Sequence, residues 1–225
     1  MSLNEEIRSP LRVSPKIVPK INKSERTRAV IMNAALDFVW TRPFRDMTVT
    51  ELMRSAGMGR SVFYRYFKDL PDVMEALLEM LQREIFENAK PWLEGIGDPV
   101  ALLHETLAGL LRICYERGPF LRALTDAASD NERFAEDWNQ FLAGFDDATV
   151  ARIEADQKQD LIPNFDARPV AFALTRVNAY TLIHAFGEHP RGRPEPVREA
   201  LTRIWISTLY GSEWIGHQSS TLNRT

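Results

Sequence analysis

Over residues 1–22 the apolar positions fall without period among Pro10, Pro15, Pro19 and scattered lysines and arginines, which predicts a disordered basic arm. A helical period begins near Ser24. Ile31, Ala35, Phe38 and Val39 recur at i, i+4, i+7 and i+8, and the pattern stops before Pro43. "TVTE" follows, with Thr48 as N-cap and Glu51 three residues on, the spacing of a capping box. The helix it opens is short, because Gly57 stands where a helix stops. A third short helix is predicted over residues 60–67. A long one follows over 70–93, with Asp69 as its N-cap and Pro71 in its first turn.

The remaining chain continues in helical periods, with no convincing strand. Residues 100–117 read as a helix closed by Gly118-Pro119, and residues 120–129 as a shorter one. Further helices are predicted over 131–158, 167–186 and 196–214. On the first of these, Trp138, Phe141, Leu142, Phe145 and Thr149 fall at i, i+3, i+4, i+7 and i+11, a wide aromatic stripe carrying one hydroxyl. In the last two, Leu174, Val177, Ile183, Leu201, Ile204 and Leu209 spread apolar character over more than one face, as in helices that are central or at an interface. The expectation is an all-α chain of about nine helices. Three short ones form a helix-turn-helix unit at 23–69, six form a bundle at 70–215, and residues 216–225 make a disordered tail.

Composition narrows the function. No run of about 18 apolar residues is present, and the N-terminal stretch lacks the apolar core of a secretory signal. The single cysteine, Cys114, can form neither an intramolecular disulfide nor a zinc site by itself, and reads as a small buried hydrophobe in a reduced, cytoplasmic protein. No metal-ligand spacing, Gly-rich phosphate loop or nucleophile elbow occurs, so no cofactor and no enzymatic chemistry is called for. The net charge of -3 hides a division. Residues 1–68 carry 13 Lys/Arg against 6 Asp/Glu, while residues 69–225 carry 15 against 25. A basic first third on an acidic remainder suits a polyanion partner for the first part alone.

The stretch "SAGMGRSVFYRYF" sharpens that reading. On a helical wheel Phe63 and Phe67 share the face that packs on Leu52, Phe38 and Ala35. Arg60, Ser61, Tyr64 and Arg65 share the opposite face. An outward arginine can fork onto guanine, and Tyr, Ser and Lys can hydrogen-bond phosphate oxygens. At this point the chain resembles the TetR family of bacterial transcriptional regulators, over "IMNAALDFVW" and "MTVTELMRSAGMGRSVFYRYFKDLPDVMEALL". The resemblance implies a cytoplasmic homodimer, nucleoid-associated when bound, whose recognition helices enter successive major grooves of a palindromic DNA operator. It also implies DNA contacts from Thr48, Gly59, Arg60, Ser61, Tyr64, Arg65, Tyr66 and Lys68. Gly59, Val62 and Leu70 stand where the family usually has Ser, Thr and Lys.

The C-terminal helices, with "ALTRVNAYTLIHAF", "EALTRIWISTLYG" and the aromatic stripe, resemble a ligand-binding domain of the same family that encloses a long hydrophobic channel. That resemblance implies lining roles for Trp138, Leu142, Phe145, Thr149, Asn178 and Trp205, with Thr175 as a further polar group. His104, Leu111 and Tyr115 fall at lining positions too. The function expected is a repressor released from its operator by a small hydrophobic effector. The alternatives are an activator, a ligand-independent regulator and, distantly, an all-helical lipid carrier or enzyme.

Overall fold

In the computed structural model, which describes residues 22–95, 97–188 and 190–211, every regular element is helical. The chain forms two compact units that divide between Leu70 and Pro71. The expected arm, apart from Asn22, and the expected tail lie outside the described residues, as do His189 and His217. Among the described residues no helix is long and apolar enough to cross a membrane.

The first unit holds α1 (Lys23–Val39), a single 3-10 turn (Phe44–Asp46), α2 (Val49–Ser55) and α3 (Arg60–Phe63). Asn22 caps α1 by accepting from the amides of Ser24 and Glu25 at 3.0 and 3.1 Å. The Thr48 hydroxyl accepts from the Glu51 amide at 3.2 Å and donates to the Glu51 carboxylate at 3.0 Å, so the predicted cap opens α2. That carboxylate also takes the Arg42 guanidinium at 3.0 Å, and these two partners hold it below its ordinary acidity range. At the other end Gly57 adopts φ +70, the left-handed conformation that a side chain resists. There the Met58 amide reaches the Met53 carbonyl at 2.9 Å and the Gly57 amide reaches that of Arg54 at 3.1 Å, a Schellman closure. The turn that sets α3 against α2 follows from this geometry. Phe63 and Phe67, 0% and 2% exposed, hold α3 down together with Leu52, Ala35 and Ile31. Regular α-helix ends at Phe63, not 67, and Tyr64 to Tyr66 continue as a turn.

Among the described residues the second unit contains five helices, not six: α4 (Leu70–Glu94), α5 (Pro99–Asp130), α6 (Glu132–Lys158), α7 (Ala167–Phe186) and α8 (Pro194–Leu209). The difference lies at Gly118-Pro119, which α5 passes through unbroken. Proline brings no N–H, so the carbonyl of Tyr115 one turn back loses its helical donor. The Arg191 guanidinium donates to that carbonyl at 2.5 Å while lying over the Tyr115 ring at 4.1 Å. Gly118 has its own reason. A Cβ there would stand 2.0 Å from the Phe186 carbonyl oxygen, so the glycine lets α7 end directly against α5. Asn131 alone separates α5 from α6, with an extended backbone and a side chain that accepts from the Arg133 amide. The last helix stops at Leu209, short of the expected 214, and Gly211 follows at φ +78.

Gly118→Ala is expected to reverse the usual benefit of alanine in a helix, worth about 1 kcal/mol, because the methyl must displace a neighbouring backbone. Urea unfolding should show a loss of about 2 kcal/mol or more; an unchanged or raised midpoint would contradict the packing described.

Candidate nucleic-acid interface and ligand cavity

Around α3 the exposed residues are Arg60, Ser61, Tyr64, Arg65 and Lys68, so the side chains sorted outward by the helical wheel are outward in the fold. Gly59 is the exposed N-cap of α3, with an extended backbone and no side-chain cap bond. Tyr64 keeps 52% of its surface. Arg60 Nη2 donates to the Tyr64 phenol oxygen at 3.1 Å. Tyr66 behaves differently. It is half-buried, and hydrogen bonds from Thr27 and Ser24 at the start of α1 hold its phenol below its ordinary pKa, helped by Arg65 and Lys23. Thr48 is exposed, but its hydroxyl is engaged with Glu51 as both donor and acceptor. With lysine and arginine in excess over residues 1–68, this face has the charge and the hydroxyl donors that phosphate contacts use.

In the second unit α4, α5, α6, α7 and α8 line a cavity of about 110 Å³. Trp138, Leu142, Phe145, Thr149, Thr175, Asn178 and Trp205 all line it. The aromatic stripe of α6 continues as a ladder. Trp138 stacks on Phe141 at 5.2 Å, Phe141 meets Phe145 edge-on at 5.0 Å, and Phe145 stacks on Phe86 of α4 at 4.6 Å. Trp205 meets Trp92 edge-on at 5.7 Å.

His104, Leu111 and Tyr115, expected to line the cavity, do not. They belong to another face of α5, where Leu111 and Tyr115 border a separate surface groove with Pro194 and Arg198. Burial and the charge of Arg198 hold the His104 imidazole below its ordinary pKa. Each of the three stands one residue past a true lining position: Leu103, Leu110 and Cys114. One residue turns a helix by about 100°, enough to move a side chain off the wall. The contribution of α4 was missed altogether. Ile85, Asn88, Ala89 and Trp92 line the cavity at i, i+3, i+4 and i+7, a periodicity legible in the sequence once a second wall is sought.

No lining residue is charged, and most of the polar ones are already engaged. Asn88 Nδ2 donates to the Thr106 carbonyl at 2.8 Å. The Thr175 hydroxyl donates to the Asp146 carboxylate, which also takes Arg176 at 2.9 Å. Trp92 Nε1 donates to the Tyr210 hydroxyl at 3.2 Å, and that hydroxyl donates to Asp156 at 2.8 Å. Asp156 is paired with Arg152 at 2.7 Å, and both are almost wholly buried. Arg152 reaches that position across Gly95, where a Cβ would meet its guanidinium at 2.1 Å. Asn178 accepts from Trp205 Nε1 at 2.9 Å through its carbonyl oxygen, since an indole N–H can only donate.

A helix-turn-helix with a basic outer edge, followed by a helical unit around an uncharged cavity, is the architecture of a DNA-binding regulator. Comparison with known proteins agrees. Residues 31–77 match the model of bacterial regulatory proteins of the tetR family, and residues 103–211 match that of the C-terminal domain of the transcriptional regulator EthR. The chain belongs to the TetR family of transcriptional regulators and carries an EthR-type C-terminal domain. It is 28% identical over 193 residues to the HTH-type transcriptional regulator EthR of Mycolicibacterium smegmatis, covering 84% of this chain and 88% of that one. EthR of Mycobacterium tuberculosis is also 28% identical, over 80% of this chain and 86% of its own. Among solved structures, Salmonella enterica GusR superposes with a TM-score of 0.70 at 18% identity, over 85% of this chain and 99% of that one. The fatty acid degradation regulator FadR of Bacillus halodurans gives 0.69 at 11%, over 83% and 96%. These two show the shared fold.

Cys114 lines the cavity, and burial, with the nearby Glu84, pushes its thiol up to about 12. At pH 8 the thiolate is then on the order of one part in ten thousand. A disulfide reagent should leave Cys114 unmodified for hours in the folded protein and react fully in denaturant; prompt reaction of the folded chain would contradict this burial.

Proposed function

We propose that this regulator is a repressor that binds a palindromic operator as a homodimer and is released when a small, uncharged, mostly apolar molecule fills the cavity. The observation that carries the reading is the cavity wall: five indole and phenyl rings, no charge, and a few neutral polar side chains, Asn178 among them. A charged effector would have to leave water with no counter-charge to meet it, at a cost of several kcal/mol or more. An apolar body with one hydrogen-bond acceptor loses nothing of the kind. The cavity is of the order of the engineered space of about 150 Å³ that holds a benzene ring, so a longer effector needs the ring ladder to move.

Dimerisation is proposed through α7 and α8, where Phe172, Tyr180 and Ile204 stay 52%, 76% and 38% exposed in the single chain. Large apolar groups left on two neighbouring helices fit a self-complementary two-fold contact. Two such chains present two recognition segments, as a two-fold operator requires. As a DNA-binding regulator the dimer works in the cytoplasm, associated with the nucleoid while bound.

The test combines a labelled duplex from the region upstream of its own coding sequence with a series of neutral ketones, esters and amides. At about 100 times its Kd a true effector stabilises by about 2.7 kcal/mol, which raises the thermal midpoint of a chain this long by about 5–10 °C. The same compounds should release the duplex, while carboxylates of equal length do neither. Arg65→Ala and Tyr64→Ala should each weaken DNA binding about tenfold or more. Unchanged binding in both would overturn the recognition face, and an effector that tightens the complex would make the protein a co-repressed or activating regulator instead. Glutamate at Phe172 and Ile204 together should shift sedimentation from dimer to monomer.

A further inference from the structure

The hydroxyls along the recognition edge are not equally available. That of Thr48 is engaged with Glu51, and Tyr66 is half-buried where Tyr64 is exposed. Tyr64 is held without being hidden. Its ring stands at 85° to that of Phe63, with centroids 5.3 Å apart, and Phe63 is fully buried. Arg60, one helical turn back, donates to the phenol oxygen at 3.1 Å and sets its guanidinium 5.8 Å from the ring centroid. Both side chains remain exposed.

We propose that Arg60 is a positioning residue, which holds Tyr64 as a preorganised donor to a DNA phosphate, and that Arg60 does not itself read a base. A phenol hydrogen lies near the plane of its ring. A donor lodged on one side of the oxygen therefore turns the O–H to the other, where an acceptor on the DNA can take it. Arginine and tyrosine at i and i+4 meet on one face, so the arrangement is local to the recognition segment. With Phe63 fixing the ring and Arg60 fixing the hydroxyl, little freedom remains to be lost when the phosphate arrives. The guanidinium adds its charge to the phosphate while it lies along the protein. The proposal rests on the DNA-binding reading above.

The test begins with selection of a randomised duplex pool by the full-length wild-type protein. The enriched site is then titrated against wild type, Arg60→Ala, Tyr64→Phe and the double variant. Arg60→Ala and Tyr64→Phe should each weaken binding about fivefold to tenfold, the effect of one hydrogen bond to a charged group. In the Tyr64→Phe background, removing Arg60 should weaken it further by no more than about twofold, the residue of its screened charge. A selection repeated with Arg60→Ala should return the same preferred sequence. Both residues are exposed, so thermal midpoints should not change and folding does not confuse the comparison. Additive losses, or a changed base preference at one position in the Arg60→Ala selection, would overturn the positioning role. Failure of the wild-type protein to enrich any sequence would instead overturn the DNA-binding reading, before any variant is compared.

Discussion

The second unit depends on one hydrogen bond from a loop to a helix. Pro119 leaves the Tyr115 carbonyl without its helical donor, and Arg191, in the connection between α7 and α8, supplies the replacement at 2.5 Å. Because that carbonyl is satisfied, α5 continues for 32 residues and packs against α6, α7 and α8. Its continuity puts Leu103, Leu107, Leu110 and Cys114 before the proline on the same wall as Leu121 beyond it. The loop thus fixes the register of a surface far from itself. A break at Gly118 would turn the two halves of that wall independently, and the cavity would lose its shape.

Within that shape most of the polar groups on the wall are tied to other protein groups. Trp92 and Trp205 give their indole hydrogens to Tyr210 and Asn178, and Thr175 gives its hydroxyl to Asp146. The buried Arg152–Asp156 pair stands behind Trp92 with its carboxylate bonded by Tyr210. Such a pair adds little net stability over an apolar replacement, but loss of either partner leaves a buried charge at about 3–5 kcal/mol. These contacts hold the rings and leave an interior that is uncharged. The first unit solves the opposite problem: buried phenylalanines secure a short segment so that its charged and hydroxylated side can stay in water.

Much of this was legible in the residues. The face of α3 followed from a wheel, because Phe63 and Phe67 have only one direction in which to be buried. The Thr48 cap and the Gly57 stop are local chemistry and appear where the sequence put them. The proline was misread for an equally physical reason. A Gly-Pro pair ends most helices, and the arginine that rescues this one lies 76 residues away in the chain. The error at His104, Leu111 and Tyr115 has the same root. Without knowing how α5 is rotated against its neighbours, a residue and its successor cannot be told apart as wall and surface. The role of Tyr66 was hidden similarly, since nothing near it in sequence announces Ser24 and Thr27 as partners.

Occupancy of the ring-lined cavity is proposed to govern the hold on DNA. It is tested most directly by filling the cavity with the protein's own atoms. Thr149 is 4% exposed and lines the space, so Thr149→Phe adds most of a ring where the effector is proposed to lie. The quantity to measure is the affinity of this variant for the wild-type operator, without any ligand. The expected result is a loss of about tenfold or more in a protein that still folds, and no further response to a neutral apolar compound. A folded variant that binds the operator as wild type does, and is still released by the compound, would contradict it.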